Sequence, residues 1–442
     1  MTSEQTSEHQ PSEEILEEVR RWLKENWEPD LTVAEWWERL GLAGWSSPSL
    51  PPNAYGRGLS RTDAMAVGRE IAAFGALGPP GGLGLLLAAP TIATHGTQEQ
   101  IDRYVRGIVT GQQGWCQLFS EPGAGSDLAG LTTRAVRDGD EWVINGQKVW
   151  TSLGQFADLG MLLARTDPEV PKHQGISWMV LDMHQPGVEV RPLREMTGNA
   201  MFNEVFITDA RVPADAVIGG VNNGWAVANT TLAFERAGLG SGGGGASISA
   251  MPGTIAGQLG RRAGDFVAAR RGRRRPDDDG PILQPMGSQM LASLAREVGK
   301  DKDPVIRQGL ARLYILTELG RFNTERLRAA RAIGRDIPGL PNIAKLSMSE
   351  IMRQSRDLGM AIAGAAGMLH AYRDEDRSRL EQLDIAPQVP AVTGHALYAQ
   401  APPIYGGTDQ IQRNIIGERV LGLPREPSND RTVKFSELPR NG

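Results

Sequence analysis

Residues 119–127 read Phe-Ser-Glu-Pro-Gly-Ala-Gly-Ser-Asp. Gly123 and Gly125 let the main chain approach a ligand closely. Backbone N–H groups there, with the Ser120 and Ser126 hydroxyls, could hold a polar or anionic group. The same Pro-Gly sequence is also an ordinary turn. Residues 146–152 read Gly-Gln-Lys-Val-Trp-Thr-Ser. Trp150, at a strand end, could stack on a flat ring while Thr151 and Ser152 bond its polar edge. A core Trp beside a turn is the plain alternative. Residues 405–419 begin Tyr-Gly-Gly-Thr-Asp-Gln. Thr408 and Asp409 form a helix N-cap region after a glycine turn, and that helix N-terminus could receive a ligand's polar group. The final helix of a bundle would look the same. A fourth segment, 202–213, alternates like a plain strand.

These segments must be positioned by three regions. Residues 1–11 are polar and predict a disordered tail. From 12 to 111 the period is helical: Ile15, Val19, Trp22 and Leu23 share one face, and Ser12 can cap the helix. From 112 to 223 the pattern turns to strands. Asp138-Gly139 and Asn145-Gly146 are hairpin signals, while 161–164 and 176–181 read as buried strands. From 224 to 425 the helical period returns, with long amphipathic helices over 307–335 and 342–370 and a turn at Pro338 and Pro341 between them. Residues 426–442 form a tail. No strand–helix alternation calls for a parallel, doubly wound sheet. Glycine-rich residues 238–244, an arginine run from Arg270 and three acids from Asp277 predict a flexible surface insertion over about 238–285. A basic amphipathic helix within 254–275, meeting a membrane or a partner, is the alternative reading.

The 442 residues suffice for two or three domains. With 40% hydrophobic and 22% charged residues, the chain is an ordinary globular one. A net charge of -5 gives no reason to expect nucleic-acid binding. Cys116 is the single cysteine, so no intrachain disulfide forms, which fits a reducing compartment. No Cys/His cluster has metal-ligand spacing. The acidic first residues resemble neither a secretory signal nor a transit peptide, and the longest apolar run is too short to span a bilayer. A cytoplasmic enzyme is the expectation.

Together the four segments resemble the motifs of the acyl-CoA dehydrogenase family, in the same order and at comparable spacing over about residues 15–425. The resemblance implies an α+β, mainly α fold: an N-terminal helical domain, a middle antiparallel β domain and a C-terminal four-helix bundle. It implies FAD between the β domain and the bundle. Matching positions imply cofactor contacts at Gln117, Leu118, Phe119, Ser120, Gly125, Ser126, Trp150, Thr151, Ser152, Thr408 and Gln410. Ser126 also matches a position near the substrate's phosphopantetheine arm. The implied reaction converts an acyl-CoA thioester to the trans-2-enoyl-CoA, by α-proton abstraction and hydride transfer to flavin N5. Lipid metabolism, β-oxidation among it, is the implied setting, with an electron-transfer flavoprotein as acceptor.

Many members place the base in a Tyr-Glu-Gly-Thr segment, where this chain has Gly406. The isovaleryl and long-chain branches place it in a Glu-Arg pair on a bundle helix. Phe234-Glu235-Arg236 stands at the matching position. The resemblance therefore implies Glu235 as base and Arg236 as a substrate-positioning residue; a surface ion pair is the plain alternative. The insertion starts just after Glu235 and could make room for a bulky acyl group. Two cofactor motifs that serve a neighbouring subunit also depart. Residues 295–299 lack their Phe, and 361–367 lack a Gln and one Gly. Either other residues serve, Arg296 among them, or a different subunit does, as in heteromeric actinobacterial members. Homo-oligomers, dimeric or tetrameric, and hetero-oligomers with a homologous subunit both remain. So do two alternative activities: a partner-dependent, non-catalytic subunit, and a flavin oxidase or monooxygenase on the same fold.

Overall fold

The computed structural model describes residues 11–240, 250–271, 286–383, 386 and 388–439. The N-terminal region holds α1 (Glu13–Asn26), α2 (Val33–Leu42), α3 (Arg61–Phe74) and α4 (Ala89–His95). Val19 and Leu23 of α1 and Trp36, Trp37 and Leu40 of α2 meet in one buried cluster, with Ile15 and Trp22 packed at its edge. Each such buried aliphatic side chain stabilises by about 1.5–3 kcal/mol. The indoles of Trp36 and Trp37 donate to the carbonyls of Leu77 and Gly78, at 2.7 and 2.8 Å, so neither N–H is stranded. Thr32 and Glu35 form a capping box on α2. Ser12 precedes α1 but makes no side-chain cap; its N–H donates to Asp63 instead.

The middle region is one sheet of β1 (Trp115–Leu118), β2 (Arg134–Asp138), β3 (Glu141–Ser152), β4 (Leu159–Arg165), β5 (Ile176–Asp182), β6 (Val188–Leu193), β7 (Phe202–Pro213) and β8 (Val217–Ile218). Its order is β6-β7-β3-β2-β4-β5-β8, and β1 pairs β4. Pairing is antiparallel except for β1 with β4 and a single β2–β4 rung. The β2–β3 hairpin turns at Gly139, whose φ is +61°, as its Asp-Gly signal predicts. The Asn-Gly signal does not make a turn. Asn145 and Gly146 lie inside β3, at a bulge opposite β7. Asn145 exchanges hydrogen bonds with Asp209 there, and a Cβ on Gly146 would stand 2.2 Å from the Thr133 hydroxyl. The glycine serves close packing, not chain reversal.

The C-terminal region opens with α5 (Gly224–Gly240). The expected flexible insertion follows, and its described part is not loose. Residues 250–271, ending in α6 (Ala263–Arg271), dock on the N-terminal region. Val33 N and Ala34 N donate to Arg261 O and Leu259 O; Ala263 N and Gly264 N donate to Leu31 O and Pro29 O. Ala250, Ala263 and Phe266 join the tryptophan cluster. The apolar side of α6 thus faces protein rather than a membrane or a partner. Composition missed this because three or four apolar residues suffice when a groove awaits them. The glycine run begins within the end of α5 and the arginine run at the end of α6; the rest of both, in positions 241–249 and 272–285, lies outside the described residues.

The bundle adds α7 (Ser288–Glu297), α8 (Pro304–Ala332), α9 (Leu340–Ala363), α10 (Val389–Tyr398) and α11 (Asp409–Ile415). Gly339, at φ +79°, makes the turn between the two long helices, and Gly364 ends α9 short of the expected boundary. Among the described residues no helix is long and apolar enough to cross a membrane. The tail returns to the β domain: Phe435 N and Ser436 N donate to Val170 O and Pro168 O, and Arg165 stacks on the Phe435 ring at 3.7 Å.

Asp409 ties α11 to α9, accepting from Lys345 Nζ at 2.9 Å, Ser349 Oγ at 2.8 Å and Arg353 Nη1 at 3.0 Å. Asp409→Leu strands two cations. It should cost on the order of 3 kcal/mol, read as a lower thermal midpoint with faster amide exchange over residues 404–420. Unchanged exchange there would remove Asp409 from the support of α11.

Candidate active site

The first two motifs meet through buried charge. Glu121 accepts from Lys148 Nζ at 2.8 Å, and both side chains are shut off from solvent. Lys148 also donates to Phe119 O at 3.1 Å, and Glu121 accepts from Thr132 N, Thr132 Oγ1 and Thr133 N. Val149 N donates to Ser120 O. Burial alone would raise the Glu121 carboxyl; the Lys148 charge and hydrogen bonds outweigh it and hold the group at about 2. Burial likewise draws the Lys148 ammonium down, and Glu121 offsets part of that. The loop after β1 is therefore pinned to β3.

At the end of β3 the pairing with β7 slips between Lys148 and Thr151. Trp150 there has a left-handed φ of +60° and is 61% exposed. Such backbone in a bulky residue costs about 1–3 kcal/mol and clusters at working sites. Phe202 supports the indole edge-on at 5.9 Å, leaving a broad aromatic face free. Thr151 is buried, and its Oγ1 has no hydrogen-bond partner among the described residues. Its carbonyl accepts from Asn203 Nδ2 at 2.9 Å. Ser152 is half-buried. Leu118 and Phe119 are core residues, so a ligand reaches only their backbone. Gly125 and Ser126 are exposed on the loop, and a Cβ on Gly125 would meet nothing within 4 Å.

Glu235 lies on α5, wedged between the N-terminal and β regions. Thr231 and Thr230 of α5 bond Thr91 and His95 of α4 at 3.1 and 2.8 Å. At the helix start, a Cβ on Gly224 would stand 2.5 Å from the Ser177 backbone. This seat turns Glu235 toward β1, where its Oε2 accepts from Gln117 Nε2 at 3.4 Å. Burial pushes the carboxyl above its ordinary value; the Gln117 hydrogen bond and the Arg236 charge only partly oppose this. Arg236 itself is exposed. Gly406 has no group to take a proton, and its φ of +62° is a turn conformation.

The structure thus brings Gln117, Ser120, Trp150, Thr151 and Ser152 together where β1 and the loop after it run beside the end of β3, with Glu235 hydrogen-bonded to Gln117. Thr408 and Gln410 stand apart. Thr408 caps α11, accepting from Ile411 N at 3.1 Å, and Gln410 is exposed. Among the described residues no hydrogen bond links either one to the first two motifs. Sequence reasoning missed Lys148 and Glu121, although a lysine two residues before an expected stacking Trp was a usable signal. It also missed a narrow cleft where Trp115 and Ser152 meet Met251 and Pro252 of the insertion. A larger open cavity, about 450 Å³, lies between His173, Trp225, Arg419 and the tail's Arg431.

Family models match all three regions: the acyl-CoA dehydrogenase N-terminal domain over residues 8–112, the middle domain over 116–210 and the C-terminal domain over 290–421. The chain belongs to the acyl-CoA dehydrogenase family. It is 35% identical over 434 residues to acyl-CoA dehydrogenase IpdE1 of Mycobacterium tuberculosis (strain ATCC 25618 / H37Rv), covering 94% of this chain and 99% of that one. Among solved structures it resembles the Tcur3481-Tcur3483 steroid ACAD, with TM-score 0.66, 27% identity and 94% and 98% of the two chains covered. It also resembles a chain of the ChsE4-ChsE5 complex from Mycobacterium tuberculosis, with TM-score 0.63, 26% identity and 96% and 100% covered. Acyl-CoA dehydrogenases are flavoprotein oxidoreductases acting on the CH–CH bond of acyl-CoA. The exposed Trp150 face and the unpartnered Thr151 hydroxyl fit a flat ring with a polar edge.

The Lys148–Glu121 pair holds the dehydrogenase's two β-domain motifs together, so its loss should be felt twice. Lys148→Met strands the Glu121 charge and should cost about 3–5 kcal/mol in denaturant unfolding, with weaker flavin retention. Adding Glu121→Leu should recover most of that stability. Because Glu121 lies below its ordinary 4.5, its contribution is present above that pH and disappears as pH falls toward about 2. A single variant as stable as the parent would refute the role.

Proposed function

We propose that this chain dehydrogenates an acyl-CoA thioester between Cα and Cβ, giving the trans-2-enoyl-CoA, with Glu235 as the base. The observation that carries this is a half-buried carboxylate, pushed above its ordinary pKa by desolvation and hydrogen-bonded to Gln117 of β1. An α-proton of a thioester is weakly acidic, so its base must hold a proton well, and a water-poor seat provides that. The Gln117 amide orients the carboxylate. FAD, when bound, accepts the β-hydrogen as hydride. Trp150 would stack on its ring system, while Thr151 and Ser152 would bond the polar edge. Ser120, Gly125 and Ser126, with the backbone of Leu118 and Phe119, would line its polar arm, and Ser126 would also serve the pantetheine arm. Thr408 and Gln410 would contribute from the bundle. Arg236 would position the thioester. An electron-transfer flavoprotein is the acceptor we propose.

Ile315, Leu319 and Phe322, spaced four and three residues apart on α8, are each more than half exposed. That stripe fits a subunit interface. It also favours a second reading, a subunit completed by a homologue. Residues 295–299 and 361–367 lack the cross-subunit cofactor pattern, and two solved relatives, the Tcur3481-Tcur3483 steroid ACAD and the ChsE4-ChsE5 complex, are named for paired chains.

Protein purified alone should show a flavin spectrum that bleaches anaerobically with an acyl-CoA. A colourless protein that gains flavin only with a co-expressed homologue would favour the second reading. Peroxide release would favour an oxidase. Glu235→Gln should keep flavin and lose substrate reduction; near-normal bleaching would place the base elsewhere. Since burial raises the Glu235 pKa, its protonated form is favoured in the fold, and the site costs stability once pH exceeds the ordinary 4.5. Two results follow at pH 7 and below. Glu235→Gln should match or exceed the parent's thermal midpoint, and the parent's bleaching rate should rise with pH as the carboxylate forms.

A further inference from the structure

The narrow cleft has a definite place relative to the chemistry. Trp115 lies two residues before Gln117 on β1, so both side chains share one face of the strand, about 7 Å apart. Gln117 bonds Glu235, and Ser152 of the ring-binding turn lines the same cleft. Gly82, Leu83 and Gly84, just before α4, form another side. Closing the cleft are Met251 and Pro252, which leave a cavity of only about 30 Å³, against about 450 Å³ for the open one beside Trp225. Both fall between residues 210 and 290, outside all three family models.

The wall is held by backbone. Asp158 accepts from Gly114 N at 2.6 Å, from Thr254 N at 3.2 Å and, in a short contact, from Thr254 Oγ1. Gly253 N donates to Gly111 O at 2.9 Å, and Met251 N donates to Gln258 Oε1 at 2.6 Å. Gly253 has φ +96°, and a Cβ there would stand 2.5 Å from Asp158 and 2.7 Å from Gly114 N. A strap so tightly joined to the start of β1 cannot drift away from the cleft. The described part of the insertion therefore adds a wall where the sequence suggested extra room.

We infer that Met251 and Pro252 cap the far end of the acyl cleft and set the length and bulk of acyl group the enzyme accepts. This rests on the dehydrogenase reading proposed above. Met251 is the adjustable element, since its side chain is unbranched and adaptable; Pro252 and Gly253 fix its position.

The test compares the parent with Met251→Ala and Met251→Trp, using butyryl-CoA, octanoyl-CoA and 3-cyclohexylpropanoyl-CoA. Calorimetric titration gives binding, and anaerobic flavin bleaching gives kcat/KM. Met251→Ala should improve binding and kcat/KM for the two larger thioesters relative to butyryl-CoA by about tenfold, mostly through KM. Met251→Trp should shift the ratio the other way by a similar factor. The same ranking in all three proteins, within about twofold, would overturn the assignment. Binding decides the wall without turnover: a shifted ranking with no bleaching would sustain it and refute the dehydrogenase reading instead.

Discussion

The buried pair of Glu121 and Lys148 is the constraint on which the site depends. Neither charge can be left alone at that depth, so the loop after β1 and the strand β3 cannot separate without stranding one of them. Everything attributed to the cofactor side hangs on that joint. Ser120 is held to Val149, Trp150 is turned out at the bulge that follows, and Thr151 is turned in. A hydrophobic pair could hold these segments as firmly. The ionic pair adds direction, because Glu121 must also meet the N–H groups of Thr132 and Thr133.

Against this rigid joint stand features that work against stability. Trp150 carries a left-handed backbone, Thr151 buries a hydroxyl that has no hydrogen-bond partner among the described residues, and Glu235 holds a half-buried carboxylate whose charge the surroundings disfavour. The first two lie at the end of β3, and the third meets β1 through Gln117. Their concentration is what a preorganised site requires: an exposed aromatic face, an unspent hydrogen bond and a carboxyl whose pKa is raised. The α4–α5 contacts give Glu235 its seat, because they hold α5 between the N-terminal and β regions with the carboxylate turned toward Gln117.

The insertion and tail extend this scaffold beyond what the family models cover. The strap through Met251–Gly253 and the tail through Phe435 each run back to the β domain and add a wall to a space beside α5 or β1. In the bundle, Asp409 fixes α11 against α9, while the apolar stripe on α8 is left bare. Ligand space is thus shaped from inside the chain, and one face remains for another subunit.

Local rules made much of this legible from sequence. Helical period placed α1 and the two long helices, and Gly139 placed the β2–β3 turn. These features depend on neighbours a few residues apart, where periodicity and turn chemistry operate. Local rules failed where a contact crossed the chain. Asn145-Gly146 looked like a turn, but the β7 strand opposite made it a bulge. Residues 250–271 looked too polar to order, but the N-terminal groove supplied what they lacked. Gln117 and Glu235 stand 118 residues apart, so nothing local pairs them. The residue types of the site were written in the sequence. The desolvation that raises the Glu235 carboxyl, and the partner that makes Lys148 an anchor, were decided by tertiary structure, because desolvation and charge pairing depend on what surrounds a group in space.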